Sequence, residues 1–253
     1  MKRLLTALAA IPLALLVTLF APDWLMALIV GLVSALMLHE FLQLTATVMG
    51  DRPGSWFLFA AVWVAASFVG GASWVLTALA GSTISLLTVG AFGGDLKRAV
   101  ARVAAGLSGL LYCAFLFGFI IWLSRDSILM LFGIVWAGDT FAYYGGRAFG
   151  RHPLAARISP KKTIEGAIAG LAGSAIVGTV IGLWRLGEPW TSLVWISVLT
   201  AIAGQIGDLA ESALKRSANV KDSSSILPGH GGILDRLDSL LFAVPIFYWL
   251  LNA

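Results

Sequence analysis

Apolar residues dominate this chain in long runs that short polar stretches interrupt. Runs of about 15–22 residues recur, and about 20 helical residues cross a bilayer. The pattern predicts spans at roughly Leu4–Phe20, Trp24–Leu42, Trp56–Val69, Trp74–Phe92, Ala104–Leu123, Ile128–Gly145, Ile164–Leu186, Trp190–Leu209 and Leu237–Leu251. The runs are continuous rather than alternating, which disfavours a β-barrel. The expected fold is therefore all-α: a polytopic transmembrane bundle of about nine spans. Two longer polar loops remain, Arg147–Thr163 and Glu211–Arg236, and two spans separate them.

Composition agrees. Of 253 residues, 59% are hydrophobic and only 12% charged, with a mean hydropathy of +0.91, whereas soluble domains run to about a quarter charged. No hydrophilic block is long enough to fold alone, so residues 1–253 read as one integral membrane domain. Within it, 1–125 supplies N-terminal spans without an assigned role, and 126–253 carries the chemistry. Met1-Lys2-Arg3 before Leu4–Phe20 resembles a signal peptide but shows no small-residue cleavage site, so it is expected as a retained first span. The single cysteine, Cys113, lies in an apolar run and reads as a small buried hydrophobe.

The positive charges orient the bundle. Nine spans put fifteen of the seventeen Lys and Arg on one side and leave only Arg125 and Arg185 on the other. The rich side is cytoplasmic by the positive-inside rule. The N-terminus and both long loops are then expected in the cytoplasm, where nucleotides are available. Asp95–Arg102 is a third cytoplasmic segment, whose basic residues suit anionic headgroups.

Candidate chemistry concentrates in three passages. In Gly204–Arg216, Asp208, Glu211, Ser212 and Lys215 fall at i, i+3, i+4 and i+7 and so share a helix stripe. A carboxylate at membrane depth is costly and points to function. In His230–Asp238, Gly231 and Gly232 allow the backbone to approach a phosphate. Asp235 and Asp238 lie on one face of the last helix. Oxygen ligands of this kind suit Mg²⁺, usually held by one or two carboxylates plus substrate phosphate oxygens. Asp235 with Asp208 would be a pair brought from two helices. His230 has no second His or Cys nearby for zinc, and a substrate contact is expected of it instead. In Trp136–Gly166, Asp139 is an acid inside a span, with Arg147, Lys161 and Lys162 as cations on the same face. Thr163 followed by Glu165 can cap the next helix. Glu40, at the cytoplasmic end of the second span, reads equally as a structural partner of a loop Arg or as a site residue.

The stretch Ser212–Asp238 closely resembles the hallmark pattern of the phosphatidate cytidylyltransferases, or CDP-diacylglycerol synthases. That pattern is Ser-x-apolar-Lys-Arg, four residues, Lys-Asp-x-small, two residues, apolar, Pro or Gly, x, His-Gly-Gly-apolar-x-Asp-Arg-apolar-Asp, and every fixed position is met. The Gly207-Asp-Leu-x-Glu-Ser run and the Asp139-Thr-x-Ala-Tyr, Gly145-Gly-Arg and Ser159-Pro-Lys-Lys-Thr-x-Glu-Gly runs are also similar, so the resemblance covers about Trp136–Asp238. It implies that CTP and phosphatidate give CDP-diacylglycerol and pyrophosphate, for phospholipid synthesis. It further implies catalytic roles for Asp208, Asp235, Lys215 and Arg236. A divalent metal, Mg²⁺, with room for a second cation, would sit on Asp208 and Asp235, with Asp139, Glu211 and Asp238 as further ligands or orienters. Substrate contacts would come from Arg147, Lys161, Lys162, Ser212, Arg216, Lys221, Asp222, His230, Gly231 and Gly232. Membrane lipid is an expected partner, a homodimer is compatible with the chain, and nucleic acid is not expected. Short loops and no organelle-type presequence favour a bacterial inner membrane. Two alternatives stay open: a cytidylyltransferase for another lipid phosphate, and a transporter of an anionic solute. The clustering of charge on one face argues against the transporter.

Overall fold

The computed structural model describes residues 2–226, 229 and 231–253. His230, a candidate substrate contact, lies outside the described residues. Among the described residues the chain is mainly helical, with one small hairpin, and most of each of the nine apolar runs falls on helix. Among the described residues, six helices are long and apolar enough to cross a membrane: Asp23–Met49, Ala72–Gly90, Leu96–Trp122, Arg125–Phe149, Ile164–Arg185 and Trp190–Ser217. Ile11–Phe20 and Ser55–Gly70 are shorter apolar helices. The protein is thus an all-α polytopic membrane protein.

Residues divide into two compact units, Met1–Trp122 with Leu214–Leu237, and Leu123–Ala213 with Asp238–Ala253. The first contains α1 (Lys2–Phe20), α2 (Asp23–Met49), α3 (Leu58–Ser67), α4 (Ala72–Phe92) and α5 (Ala99–Leu110). From α5 the chain continues through a π-helical stretch, Leu111–Phe115, one turn of α6 (Leu116–Gly118) and a 3-10 turn, Phe119–Trp122. Its core is built on Met37, Leu38, Phe57, Phe68, Leu86 and Leu110, all fully buried. Buried Arg102 ties its loops together: Nε donates to Asp51 Oδ2 at 2.9 Å, Nη2 to Asp95 O at 3.1 Å, and Nη1 to Gly90 O. Arg102 therefore braces the loops on either side of α3 and α4.

The second unit contains α7 (Arg125–Phe149), a hairpin of β1 (Pro153–Ala155) and β2 (Ser159–Thr163), α8 (Ile164–Arg185), most of α9 (Trp190–Ser217) and most of α10 (Leu234–Leu251). Ser124 caps α7 by accepting from the Ser127 N–H, and Thr163 caps α8 by accepting from the Gly166 N–H, each at 3.1 Å. Glu165 does not complete a capping box. It accepts instead from the Arg151 and His152 amides and from His152 Nδ1, which pins the hairpin entry to the start of α8.

α7 and α8 pack along a row of small residues at every fourth position of α8: Gly166, Gly170, Ser174, Gly178 and Gly182, all buried. In lipid, close backbone approach and van der Waals contact drive association, and small residues permit both. A Cβ on Gly170 would lie 2.9 Å from Gly138 O, and Ser174 Oγ donates to Ile134 O at 2.7 Å. Gly170→Val is therefore expected to destabilise the detergent-solubilised protein by about 1–3 kcal/mol, read as a lower midpoint of thermal unfolding. An unchanged midpoint would contradict this packing.

Candidate functional site

The second unit holds a cavity of about 600 Å³, within the range of small-molecule sites. Ile134, Val135, Ala142, Ala167 and Ala201 make an apolar wall, and Asp139, Arg147, Lys161, Lys162, Gln205 and Asp208 converge as polar groups. Each arrives from a different constraint. α7 delivers Asp139 and, two turns on, Arg147. The β2 strand carries Lys161 and Lys162 out of the hairpin. α9 presents Gln205 and Asp208, and Gln205 is fixed by donating from Nε2 to Ala167 O at 3.1 Å.

Asp208 Oδ2 accepts from Lys162 Nζ, and its Oδ1 meets the Ser212 hydroxyl at 3.4 Å. Lys162 and Asp208 are each about 30% exposed on their side chains (31% and 27%), so the pair lines the cavity rather than lying beneath it. The structure thus brings Asp139, Arg147, Lys161, Lys162 and Asp208 to one cavity. Glu211 is fully buried one turn further along α9. Asp238, half-buried in α10, accepts on Oδ1 from the Ser239 N–H at 2.7 Å. Gln205, Tyr143 and Ser159 also line the cavity, although the sequence assigns them no site role.

The first unit organises the passage from Lys215 to Leu234 around two carboxylates. Asp235 Oδ1 accepts from Lys215 Nζ at 2.6 Å. Its Oδ2 accepts from the Ser223 N–H at 2.9 Å and the Gly232 N–H at 2.7 Å, with the Ser223 hydroxyl 3.0 Å away. Glu40 of α2, fully buried, faces the same loop. Its Oε1 accepts from Ser224 Oγ (2.7 Å) and the Ile233 N–H (3.0 Å), and its Oε2 from Ser223 Oγ (2.9 Å) and the Leu234 N–H (2.8 Å). The Ile233 and Leu234 amides belong to the start of α10, so Glu40 serves as a cap supplied from another helix.

The glycines follow from this crowding. Gly231 has a φ of +81°, and a Cβ there would press on the Asp235 carboxylate; one on Gly232 would overlap Ser223 Oγ and the Glu40 carboxylate. Lys221, Asp222, Arg216 and Arg236 are exposed around the loop. Arg216 Nη1 donates to Val220 O at 3.2 Å, closing the turn after α9.

Burial pushes the Asp235 carboxyl up, but the Lys215 hydrogen bond, the Gly232 and Ser223 amides and the lysine's charge together outweigh it. The net effect holds the group below its ordinary value. A depressed folded-state value means that its contribution to the loop is complete above the ordinary carboxylate pKa of about 3.9 and is lost as pH falls through the lower folded value. Amide exchange protection at Ser223 and Gly232, corrected for intrinsic rates, is expected to stay level from neutral pH down to that range and to collapse below it. Loss already between pH 7 and 5 would contradict this.

Among the described residues, no cluster of three or more His, Cys, Asp or Glu side chains could hold a metal ion. Asp139 and Asp208, which line the cavity of the second unit beside lysines that suit phosphate, are the carboxylates that could hold a hard divalent cation there. The remaining ligands must come from substrate oxygens and water, the arrangement that suits Mg²⁺. Asp235 offers less: with Oδ2 taken by two backbone amides, an ion there has to share Oδ1 with Lys215.

Fold and site together define a polytopic membrane protein with a phosphate-suited, carboxylate-bearing cavity. The sequence model of the Cytidylyltransferase family matches residues 1–253, and the chain belongs to that family. It is 46% identical over 119 residues to the phosphatidate cytidylyltransferase of Bacillus subtilis (strain 168), covering 47% of this chain and 44% of that protein. It is 46% identical over 123 residues to the phosphatidate cytidylyltransferase of Synechocystis sp. (strain ATCC 27184 / PCC 6803 / Kazusa), covering 48% and 41%. With phosphatidate cytidylyltransferase 5, chloroplastic, of Arabidopsis thaliana it shares 49% over 124 residues, covering 48% and 31%. The chain thus spans less than half the length of the curated relatives it matches.

Proposed function

We propose that this chain transfers CMP from CTP to phosphatidate, giving CDP-diacylglycerol and pyrophosphate for phospholipid synthesis. The observation that carries the reading is the cavity of the second unit, where Asp139, Asp208, Arg147, Lys161 and Lys162 meet beside an apolar wall. An anionic triphosphate needs the cations, a divalent ion needs the acids, and a lipid substrate needs the apolar wall. Membership of the Cytidylyltransferase family and the names of the matched relatives support the same reading.

In the reaction a phosphate oxygen of phosphatidate attacks the α-phosphorus of CTP. A new P–O bond forms, the bond from the α-phosphorus to the bridging oxygen breaks, and pyrophosphate leaves. The attacking oxygen is already anionic near neutral pH, so no strong general base is required. The barrier lies in bringing two anions together, which calls for fixed positive charge and orientation. Lys161, Lys162 and Arg147 would face the triphosphate, and Lys215, Arg216, Lys221 and Arg236 belong to the same reading as cations of the hallmark loop. Asp208 and Asp139 would hold Mg²⁺, which when bound neutralises phosphate charge. Asp235, Glu211 and Asp238 are the other acids assigned to that task from the sequence. The reading also keeps nine spans, a cytoplasmic N-terminus, a site open to the cytoplasm and a bacterial inner membrane, in line with the fifteen-to-two charge asymmetry.

The test uses full-length protein in detergent micelles, with CTP, Mg²⁺ and phosphatidate. A CMP-bearing lipid is expected, with no sealed compartment needed. Uptake of an anionic solute into proteoliposomes without any lipid product would instead establish the transporter alternative. Preference for an ether-linked lipid phosphate over phosphatidate would move the substrate assignment and keep the chemistry.

A further inference from the structure

Glu40 is an acid with no exposure, placed in the C-terminal half of an apolar helix, and a carboxylate in such a position is costly unless it is fully hydrogen-bonded. Among the described residues, its bonds come from one distant segment. Its four partners, Ser223, Ser224, Ile233 and Leu234, lie 183 to 194 residues away in sequence, and both carboxylate oxygens accept from a backbone amide as well as a hydroxyl. Such a group fixes a loop without touching what the loop binds. We infer that Glu40 is a positioning residue, a latch from α2 that ties Ser223 and Ser224 at the loop's entry to Ile233 and Leu234 at its exit; this rests on the proposed cytidylyltransferase reading for its effect on turnover.

Three observations support the latch. The donors bracket the loop: two serines at its entry, and the first amides of α10 at its exit. Both carboxylates use the loop's interior donors, since Ser223 Oγ has Glu40 Oε2 at 2.9 Å and Asp235 Oδ2 at 3.0 Å. And Gly232 leaves space for the Glu40 carboxylate that any side chain would fill. The loop shape therefore depends on a helix in the half of the chain to which the sequence assigned no role. Lys221, Asp222 and Arg236 flank the latched segment, so its geometry sets where these charges stand.

Glu40→Gln is the discriminating variant. It keeps the volume but replaces one oxygen with an amide NH₂, which only donates, and both oxygens accept from a backbone N–H, so one backbone amide must lose its acceptor whichever way the side chain turns. Full-length protein in nanodiscs is expected to show faster hydrogen exchange confined to peptides within 221–236, with α4 and α5 peptides unchanged. The kcat for CMP transfer is expected to fall about 10–100-fold, as for groups that orient ligands from behind, with KM for CTP moving less than kcat. Glu40→Asp, which retains both acceptors, is expected to recover part of the loss. His39→Ala, one residue away, is expected to behave as wild type. Where Glu40→Gln fails to fold, Ser224→Ala removes a single donor and is expected to show the same exchange change in smaller degree. Unchanged exchange in the loop, or a loosened loop with kcat intact, overturns the inference. If the wild-type chain forms no CMP-lipid at all, the cytidylyltransferase reading falls, and the exchange result still decides whether Glu40 is a latch.

Discussion

Asp208→Asn is expected to abolish turnover, with kcat down by about 10³-fold or more, in a protein that still inserts into the membrane. The substitution is nearly isosteric, so the cavity keeps its shape. What changes is charge. Asp208 is the carboxylate facing Lys162 in the cavity, and with Asp139 it is one of two acids lining that space. Without it, the ammonium of Lys162 has lost its partner and a divalent ion has lost an anionic ligand. The amide can still accept a hydrogen bond, so a purely structural role would leave most of the activity in place. Steady-state kinetics at saturating CTP separate the two cases, and near-normal kcat would remove Asp208 from the proposed metal site.

A comparable loss is expected for Asp235→Asn, about 10²–10³-fold in kcat, though for a different physical reason. The Lys215–Asp235 pair is mostly buried, with side chains 12% and 3% exposed. Removing one member of a buried pair leaves an uncompensated charge and costs about 3–5 kcal/mol. It also replaces one acceptor oxygen in a group that satisfies Lys215, Ser223 and Gly232 together. Crossing it with Lys215→Met tests the coupling. Two residues that act as a unit give a double variant about as impaired as either single one. Fully multiplicative losses would show that the two side chains contribute independently, contrary to the geometry.

The helices were legible in the sequence because an apolar run of span length has few other folded states open to it. Ends were less so: α2 runs on to Met49 and α9 to Ser217, past the apolar positions, since hydropathy marks the lipid-facing part and not where the backbone bonding stops. The β1–β2 hairpin was invisible, because strands of three and five residues around Pro153 and Pro160 show no alternation. The acids and lysines of the cavity could be picked out one by one from charge in an apolar context. Gln205 could not, because an amide in a helix carries no such signal.

Glu40 shows the limit most plainly. The sequence marks it as an acid at the end of an apolar helix and offers, equally, a loop arginine as its partner or a place in the site. The structure gives it four donors instead, from two serines and two amides. Backbone amides leave no trace in residue identity, so no reading of side-chain types could have found them. Gly231 and Gly232 suggested from sequence a backbone bared for phosphate. The structure adds a reason of its own, the nearness of the Asp235, Ser223 and Glu40 side chains.

The fate of the two ends of CTP tests the central claim most directly. Full-length protein in detergent would be given phosphatidate, Mg²⁺ and CTP labelled with ³²P at either the α- or the γ-position. Transfer of CMP requires the α label to pass into the organic phase as lipid, while the γ label appears in water as pyrophosphate in equal amount. An α label that stays in the aqueous phase, or a γ label that enters the lipid, would contradict the account.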